Sequence, residues 1–314
     1  MRICRLAAIS VRVTLIHNPG AGKQAMTAAA LKRLLGEHGH GARYQSTKED
    51  GWKKALAKEA DLVVVAGGDG TVGRVARRMA GRGVPVALLP SGTANNIART
   101  LGQLERPFEE LVRGWASARR VHLDVGVASG PWGERYFVEG LGIGLFAALL
   151  ARSEVAQPKK RTNPVEDALR RLQRQAASCE AIEVAARLDD KDISGRYLML
   201  EALNLRYVGP NLHLAPESAP GDGHFDVVLV TEAERLRLVH YFEQWQENRE
   251  RLSMLPSRKG RRLELEWTGV ELHIDDKLRP KKSAKPEEMA GRVEARIGGE
   301  TVEFLVPEPK PARR

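Results

Sequence analysis

Residues 63–75 read VVVAGGDGTVGRV, an apolar run that breaks into Gly67, Gly68, Asp69, Gly70 and Thr71. Glycine turns behind buried strands cradle phosphates with their backbone N–H groups, so a carboxylate in the middle of one is chemically informative. At about 4 Å from a phosphate charge it is repelled by roughly 4 kcal/mol at an effective dielectric near 20. A divalent ion between the two reverses the sign, because Mg²⁺ is commonly held by one or two carboxylates together with substrate phosphates. Asp69 therefore reads as the link between a nucleotide polyphosphate and Mg²⁺. The plainer alternative is a cap for a helix starting at Thr71.

Gly68, Gly70 and Gly73 fit G-x-G-x-x-G, but the dinucleotide fingerprint expects an acid at the end of the next strand. Here VPVALL runs instead into Pro90-Ser91-Gly92-Thr93, and the turn follows the third strand of its unit rather than the first. Gly20-Ala21-Gly22-Lys23-Gln24 has the lysine of a Walker loop without its spacing or its hydroxyl residue. What remains is a phosphate site assembled from several turns: Asn18-Pro19-Gly20, GGDGT, and Ser91 to Asn96. Each sits at the carboxyl end of a strand, where ligands collect in open parallel sheets.

The elements that must position these turns follow from periodicity. VRVTLI, ARYQ, DLVVVA and VPVALL are strand-like runs separated by segments of helical spacing. Continuous apolar strands imply burial on both faces, hence a mainly parallel, doubly wound α/β unit over residues 1–125. From about residue 121 the pattern changes to short strands between Gly, Pro, Asn and Asp turns: VHLDVGVA, RYFVEG, AIEVAARL, YLMLEALNLR, FDVVLV, RLELEW, VELHID, RVEARI and VEFLV. That predicts an antiparallel β-sandwich over 126–307, with the final strand a candidate to return to the first unit. Few helices are expected there. One starts at Asn163-Pro164, another runs over roughly 232–248, and residues 308–314 read as a disordered tail.

The chain has 314 residues, 50 Lys+Arg against 40 Asp+Glu, and two cysteines, Cys4 and Cys179. Two distant cysteines offer neither a disulfide framework nor a zinc spacing, which fits a reduced cytoplasmic setting. The start MRICRLAAISVRVTLI is broken by arginines and reads as a lead into a strand rather than a signal peptide. The cationic excess favours anionic partners. Basic stretches at 152–174, with Lys159-Lys160-Arg161, and at 249–262, with Arg249, Arg251, Arg258, Lys259, Arg261 and Arg262, are candidates for peripheral contact with an inner membrane face or for plain solvated surfaces. Aromatics do not interleave with them, which argues against nucleic acid.

HNPGAGK at 17–23, GGDGT at 67–71 and LPSGTANNIAR at 89–99, in that order before an all-β half, resemble the catalytic domain of the diacylglycerol kinase and sphingosine kinase superfamily, in particular its small bacterial lipid kinases. Asp124 in VHLDVG, the segment LAPESAPGDGHFDVVLV and the closing RVEARIGGETVEFLVP extend the likeness over nearly the whole chain. The resemblance implies a phosphofructokinase- and NAD-kinase-like first domain and transfer of the ATP γ-phosphate to a lipid alcohol in phospholipid biosynthesis. A homodimer is an open possibility. It also implies that Asn18, Thr47, Gly67, Gly68, Gly70, Thr71, Gly92, Thr93 and Asn95 line the ATP site. Asp69, Asn96 and Asp124 would belong to a magnesium network, Asp222 and Asp226 to a structural metal site, and Asp275 would be the base. The departures are Asn96 where relatives carry an aspartate, Arg74 for a frequent glutamate, and Asp275-Asp276-Lys277 for Asp-Gly-Glu. They keep two alternatives open: a soluble-metabolite kinase of the NAD type, or a catalytically weak nucleotide binder.

Overall fold

The computed structural model describes residues 11–22, 26–104, 106–155, 163–247 and 254–308. Cys4, Lys23, Lys159-Lys160-Arg161, Arg249, Arg251 and the tail from 309 lie outside the described residues.

The first part alternates as expected: β1 (Val13–His17), α1 (Ala28–Glu37), β2 (Ala42–Ser46), α2 (Trp52–Ala57), β3 (Leu62–Gly67), α3 (Asp69–Met79) and β4 (Val86–Pro90). Short α4 (Asn96–Thr100) and α5 (Phe108–Gly114) precede β5 (Arg119–Asp124). The strands run β2-β1-β3-β4, all parallel, and the sheet is covered on both sides. Val63 and Val65 of β3 pack with Leu56 of α2 and Val72 and Val75 of α3. Leu62, Val64 and Ala66 of the same strand pack with Leu31 and Leu35 of α1 and Leu111 of α5. Each such fully buried aliphatic side chain contributes about 1.5–3 kcal/mol. Strand order reverses at β1 and β3, so the crevice above their carboxyl ends is the natural ligand position.

The second part holds β6 (Gly126–Gly130), β7 (Gly133–Phe137), β8 (Gly140–Gly144), α6 (Leu145–Val155), α7 (Pro164–Ser178), β9 (Ile182–Leu188), β10 (Lys191–Asp192), β11 (Gly195–Leu203), β12 (Phe225–Thr231) and α8 (Arg235–Glu247). It continues with β13 (Ser257–Gly260), β14 (Arg262–Trp267), β15 (Leu272–Ile274), β16 (Lys277–Arg279), β17 (Gly291–Arg296) and β18 (Thr301–Val306). Apart from β18, these strands form an antiparallel assembly in the order β16-β15-β8-β11-β9-β14-β17-β6-β7, with β12 and β13 beyond β11. Its two layers share a core that includes Phe137, Leu141, Leu200, Phe225, Leu263, Trp267 and Val293.

Two features depart from the sequence reading, and a third, the place of the last strand, is one that the reading left open. VHLDVGVA is not one strand: β5 ends at Asp124, Val125 intervenes, and β6 begins in the other sheet. α6 is a helix the reading did not foresee, because LFAALL is apolar at consecutive positions and carries no helical stripe. Its Leu145, Phe146 and Leu149 join Leu169 and Leu172 of α7 and Leu238 and Phe242 of α8 against the outer face of β11 and β12. Finally, β18 lies between β4 and β5 in the first sheet, parallel to β4 and antiparallel to β5. The start of α7 is as expected, with Asn163 Oδ1 accepting from the Val165 N–H at 3.1 Å.

Candidate functional site

The glycine turns meet. A Cβ on Gly68 would stand 2.8 Å from the Gly92 Cα, and one on Gly92 would stand 2.3 Å from the Gly68 Cα. Only hydrogen side chains let these two backbones touch. Gly22, at φ +72°, lies so close to the Ser91 carbonyl that a Cβ would fall 2.1 Å from its oxygen. Asn18 Nδ2 donates to Thr71 Oγ1 at 3.3 Å, and the Thr47 N–H donates to the His17 carbonyl at 2.8 Å. Asn95 occupies the left-handed region at φ 54°, where asparagine is better tolerated than most residues. Its side chain closes a ring with Gly92, accepting from the Gly92 N–H at 2.8 Å and donating to its carbonyl at 2.9 Å. Gly67, Gly68, Thr71, Gly92, Asn95 and Asn18 are thus brought to one sheet edge.

Asp69 Oδ1 accepts from the Ile97 N–H at 3.0 Å. The carboxylate therefore tethers the first turn of α4 rather than capping a helix from Thr71, since α3 already begins at Asp69 itself. Burial pushes its carboxyl above the ordinary range, against the pull of the backbone donors at 95–97.

Asp275 enters from the two-residue turn between β15 and β16, at φ 50°. Its Oδ1 accepts from the N–H groups of Val138, Glu139 and Gly140 at 3.0, 2.8 and 3.3 Å. Arg77 of α3 donates to its Oδ2 at 2.5 Å. Burial raises this carboxyl and Arg77 opposes the rise. Arg77 and Asp275 together join the two sheets across the cleft.

Between these carboxylates lies a cavity of about 340 Å³ with two kinds of lining. Asp69, Thr93, Asn96, Glu139, Asp275 and Asp276 supply its polar lining, and Phe146, Leu149, Leu150, Val165, Ala168 and Val208 its apolar lining. Glu139 was missed in the sequence, where an acid inside FVEGLG carries no motif. Burial first, then the charges of Asp69 and Asp275, push it well above the usual carboxylate range. His273, in the lining of the same cavity, was missed too. Its Nε2 is 2.6 Å from Glu201 Oε2, and both residues are buried.

Of the magnesium network that the resemblance implies, Asp69 and Asn96 line the cavity. Asp124 is not among the residues lining the cavity; its Oδ2 accepts from the Gly223 N–H at 2.9 Å, on the turn that carries Asp222. Around Asp222 and Asp226 a cation is already supplied by the chain, with Lys259 Nζ 2.9 Å from Asp222 Oδ2. That donor set does not fit a structural metal ion. Among the described residues no three His, Cys, Asp or Glu side chains converge to hold a metal by themselves. At the cavity the donors are hard oxygens, and Asn96 Oδ1 is buried without a hydrogen-bond partner. This set fits Mg²⁺ shared with phosphates.

Of the basic residues anticipated as a membrane face, Arg262 pairs with Glu264 at 3.0 Å and Arg261 Nε lies 3.1 Å from His224 Nε2. Among the described residues no helix is long and apolar enough to cross a membrane.

Residues 12–128 match the family model described as the diacylglycerol kinase catalytic domain. The chain is 25% identical over 245 residues to "Diacylglycerol kinase" of Bacillus subtilis (strain 168), covering 71% of this chain and 74% of that one. It is 29% identical over 222 residues to "Probable lipid kinase YegS-like" of Pseudomonas aeruginosa (strain UCBPP-PA14), covering 68% and 70%. A crystal structure of a diacylglycerol kinase from Bacillus anthracis str. Sterne superposes with a TM-score of 0.66 at 21% identity, over 95% of this chain and 97% of that one. That likeness is one of fold.

Proposed function

We propose that this chain, whose residues 12–128 form a diacylglycerol kinase catalytic domain, transfers the γ-phosphate of ATP to a hydroxyl of diacylglycerol or a related long-chain lipid alcohol. It is a phosphotransferase with an alcohol acceptor, in keeping with the names of its relatives. One observation carries the lipid assignment: a single cavity is lined both by carboxylates and by aliphatic side chains of α6 and α7. Each CH₂ of an acyl chain buried against such a lining contributes about 0.8 kcal/mol.

In this reading the touching turns of Gly68 and Gly92, with Asn18, Thr47, Gly67, Gly70, Thr71, Thr93 and Asn95, bind the nucleotide. Mg²⁺, when bound, neutralises charge on the phosphates, and Asp69 and Asn96 lie on the wall that would hold it. Catalysis is then positioning plus charge neutralisation. Asp275 is the proton acceptor carried over from the family. Its Oδ1 accepts from three N–H groups, while Oδ2 has a longer contact from the Val138 N–H at 3.2 Å and the Arg77 guanidinium, so Oδ2 is the oxygen that would meet the acceptor hydroxyl, with Arg77 yielding its place. Access to the lipid is peripheral, at a membrane surface.

The test is transfer of labelled γ-phosphate from ATP to lipid alcohols in mixed micelles. The native chain should label a long-chain alcohol and leave NAD and other soluble acceptors unlabelled. Asp275→Ala should lower the rate by about two to four orders of magnitude, the range for a general base, with ATP affinity retained. Labelling of a soluble acceptor without micelles would favour the metabolite-kinase reading, and ATP binding without transfer to any alcohol would favour a nucleotide-binding protein.

A further inference from the structure

Glu139 occupies a place that no other charge in the cavity explains. Its backbone is fixed on both sides: the N–H donates to Asp275 Oδ1 at 2.8 Å, and the carbonyl accepts from the Asn204 N–H at 2.9 Å. The side chain reaches the cavity wall that Asp69, Asn96, Asp275 and Asp276 share. Two of these acids have a cation beside them, Asp275 with Arg77 at 2.5 Å and Asp276 with Lys277 at 2.8 Å. Asp69 is held by the Ile97 N–H. For Glu139, among the described residues, the polar contact is one long hydrogen bond from Asn96 Nδ2 at 3.4 Å, and no Lys or Arg pairs with it. Asn96 has its own unfilled valence: Nδ2 also donates to the Gly209 carbonyl at 3.0 Å, while Oδ1, buried on a residue only 2% exposed, meets no donor.

A half-buried carboxylate with no counter-charge, beside a buried acceptor with no donor, is an incomplete set that a cation or its bound water would fill. Asn96 can accept a hydrogen bond from a metal-bound water but brings no charge. Glu139 lies against it and does.

We infer that Glu139 supplies the anionic oxygen that Asn96 lacks, so that a divalent cation accompanying the nucleotide is held in this chain by Asp69 and Glu139 together with the phosphates. The inference rests on the ATP-binding reading above. It requires no all-protein cage, because one or two carboxylates and the phosphates suffice for Mg²⁺.

The experiment titrates Mn²⁺ into the full chain with a non-hydrolysable ATP analogue and reads free Mn²⁺ by paramagnetic resonance, without reference to turnover. Glu139→Gln should weaken Mn²⁺ binding about tenfold or more. Adding Asn96→Asp to that variant should restore it to within about threefold of the native chain, by the same reasoning. Native-like Mn²⁺ affinity in Glu139→Gln overturns the inference, as does failure of Asn96→Asp to restore it. Should Glu139→Gln not fold, Glu139→Asp keeps the charge on a shorter arm: reduced Mn²⁺ affinity supports the inference and unchanged affinity overturns it. The two readings fail separately. A chain that shows the Glu139 effect yet phosphorylates no lipid sinks the lipid assignment alone, and one that phosphorylates lipid with Mn²⁺ affinity indifferent to position 139 sinks this inference alone. A native chain that binds no Mn²⁺ with the analogue sinks both.

Discussion

At the scale of single residues, His273, which lines the cavity, pairs with Glu201, which does not, and the two are 3% and 0% exposed. Gly142 lies between them in the sheet, opposite Glu201 on β11 and His273 on β15, and a Cβ there would fall 2.0 Å from the Glu201 carboxylate. Burial disfavours the charged ring, but Glu201 and Asp275 together outweigh it and hold His273 above its ordinary 6.5. The folded chain therefore keeps a proton that the unfolded chain has released. The stability from this pair is fully present below about pH 6.5 and is lost as pH rises through the raised value. Glu201, raised by burial, acts in the same direction. His273→Gln should cost about 3 kcal/mol at mildly acidic pH, the low end for breaking a buried pair, and the deficit should shrink toward alkaline pH. Urea melts of both proteins across that range check it, and parallel pH curves would sink it. Little of this was legible beforehand. Asp69 and Asp275 stand in local motifs, whereas residues 139, 201 and 273 become neighbours only through the pairing of β8, β11 and β15, a register that no short stretch of sequence encodes.

At the scale of elements, the edge proposed to bind phosphate depends on two turns approaching to backbone contact, and the glycines of both turns are visible in the sequence. What they contribute is absence of bulk: Gly68 and Gly92 lie flat against each other, while the adjoining Asn95 ring and the Asp69 tether to α4 hold the second turn in place. Gly92→Ala must part the turns, because its Cβ would also come within 2.7 Å of Asn95 Oδ1. Both turns are at the surface of their unit, so the sheet should survive. The expected outcome is a loss of ATP affinity of at least about tenfold, equivalent to some 1.4 kcal/mol, with a melting temperature within a few degrees of native. Calorimetric titration beside thermal melts separates the two, and native ATP affinity would show that the turns need not touch. The helices divide by the same logic of legibility. α7 carries its stripe and its Asn-Pro start in plain view, and α6 does not, since a helix packed between a sheet and two other helices is apolar on too many sides to show a period.

At the scale of the whole molecule, chain order and spatial order part company at the last strand. β18 is added between β4 and β5, making the six-stranded order β2-β1-β3-β4-β18-β5. The first sheet is therefore incomplete until the end of the chain arrives. Two adjacent connections, through Val125 and through residues 297–300, cross between the sheets, and the Val125 N–H donates to the Glu300 carbonyl at 3.0 Å. The paired crossings fix how Asp69, from one sheet, faces Glu139 and Asp275, from the other. Val302, Phe304, Leu305 and Val306 are buried at 1%, 0%, 8% and 3% exposure. At about 1.5–3 kcal/mol each, their burial is comparable with the entire 5–15 kcal/mol of a typical domain. A chain ending at Gly298 should therefore lack a cooperative unfolding transition and expose the edges of β4 and β5 to aggregation, whereas one ending at Glu308 should melt as the full chain does. The same truncation should abolish nucleotide binding even though every glycine turn is still present in it. Cooperative melting and ATP binding by the chain ending at Gly298 would mean that the first 125 residues fold unaided, and that β18 decorates the sheet instead of completing it.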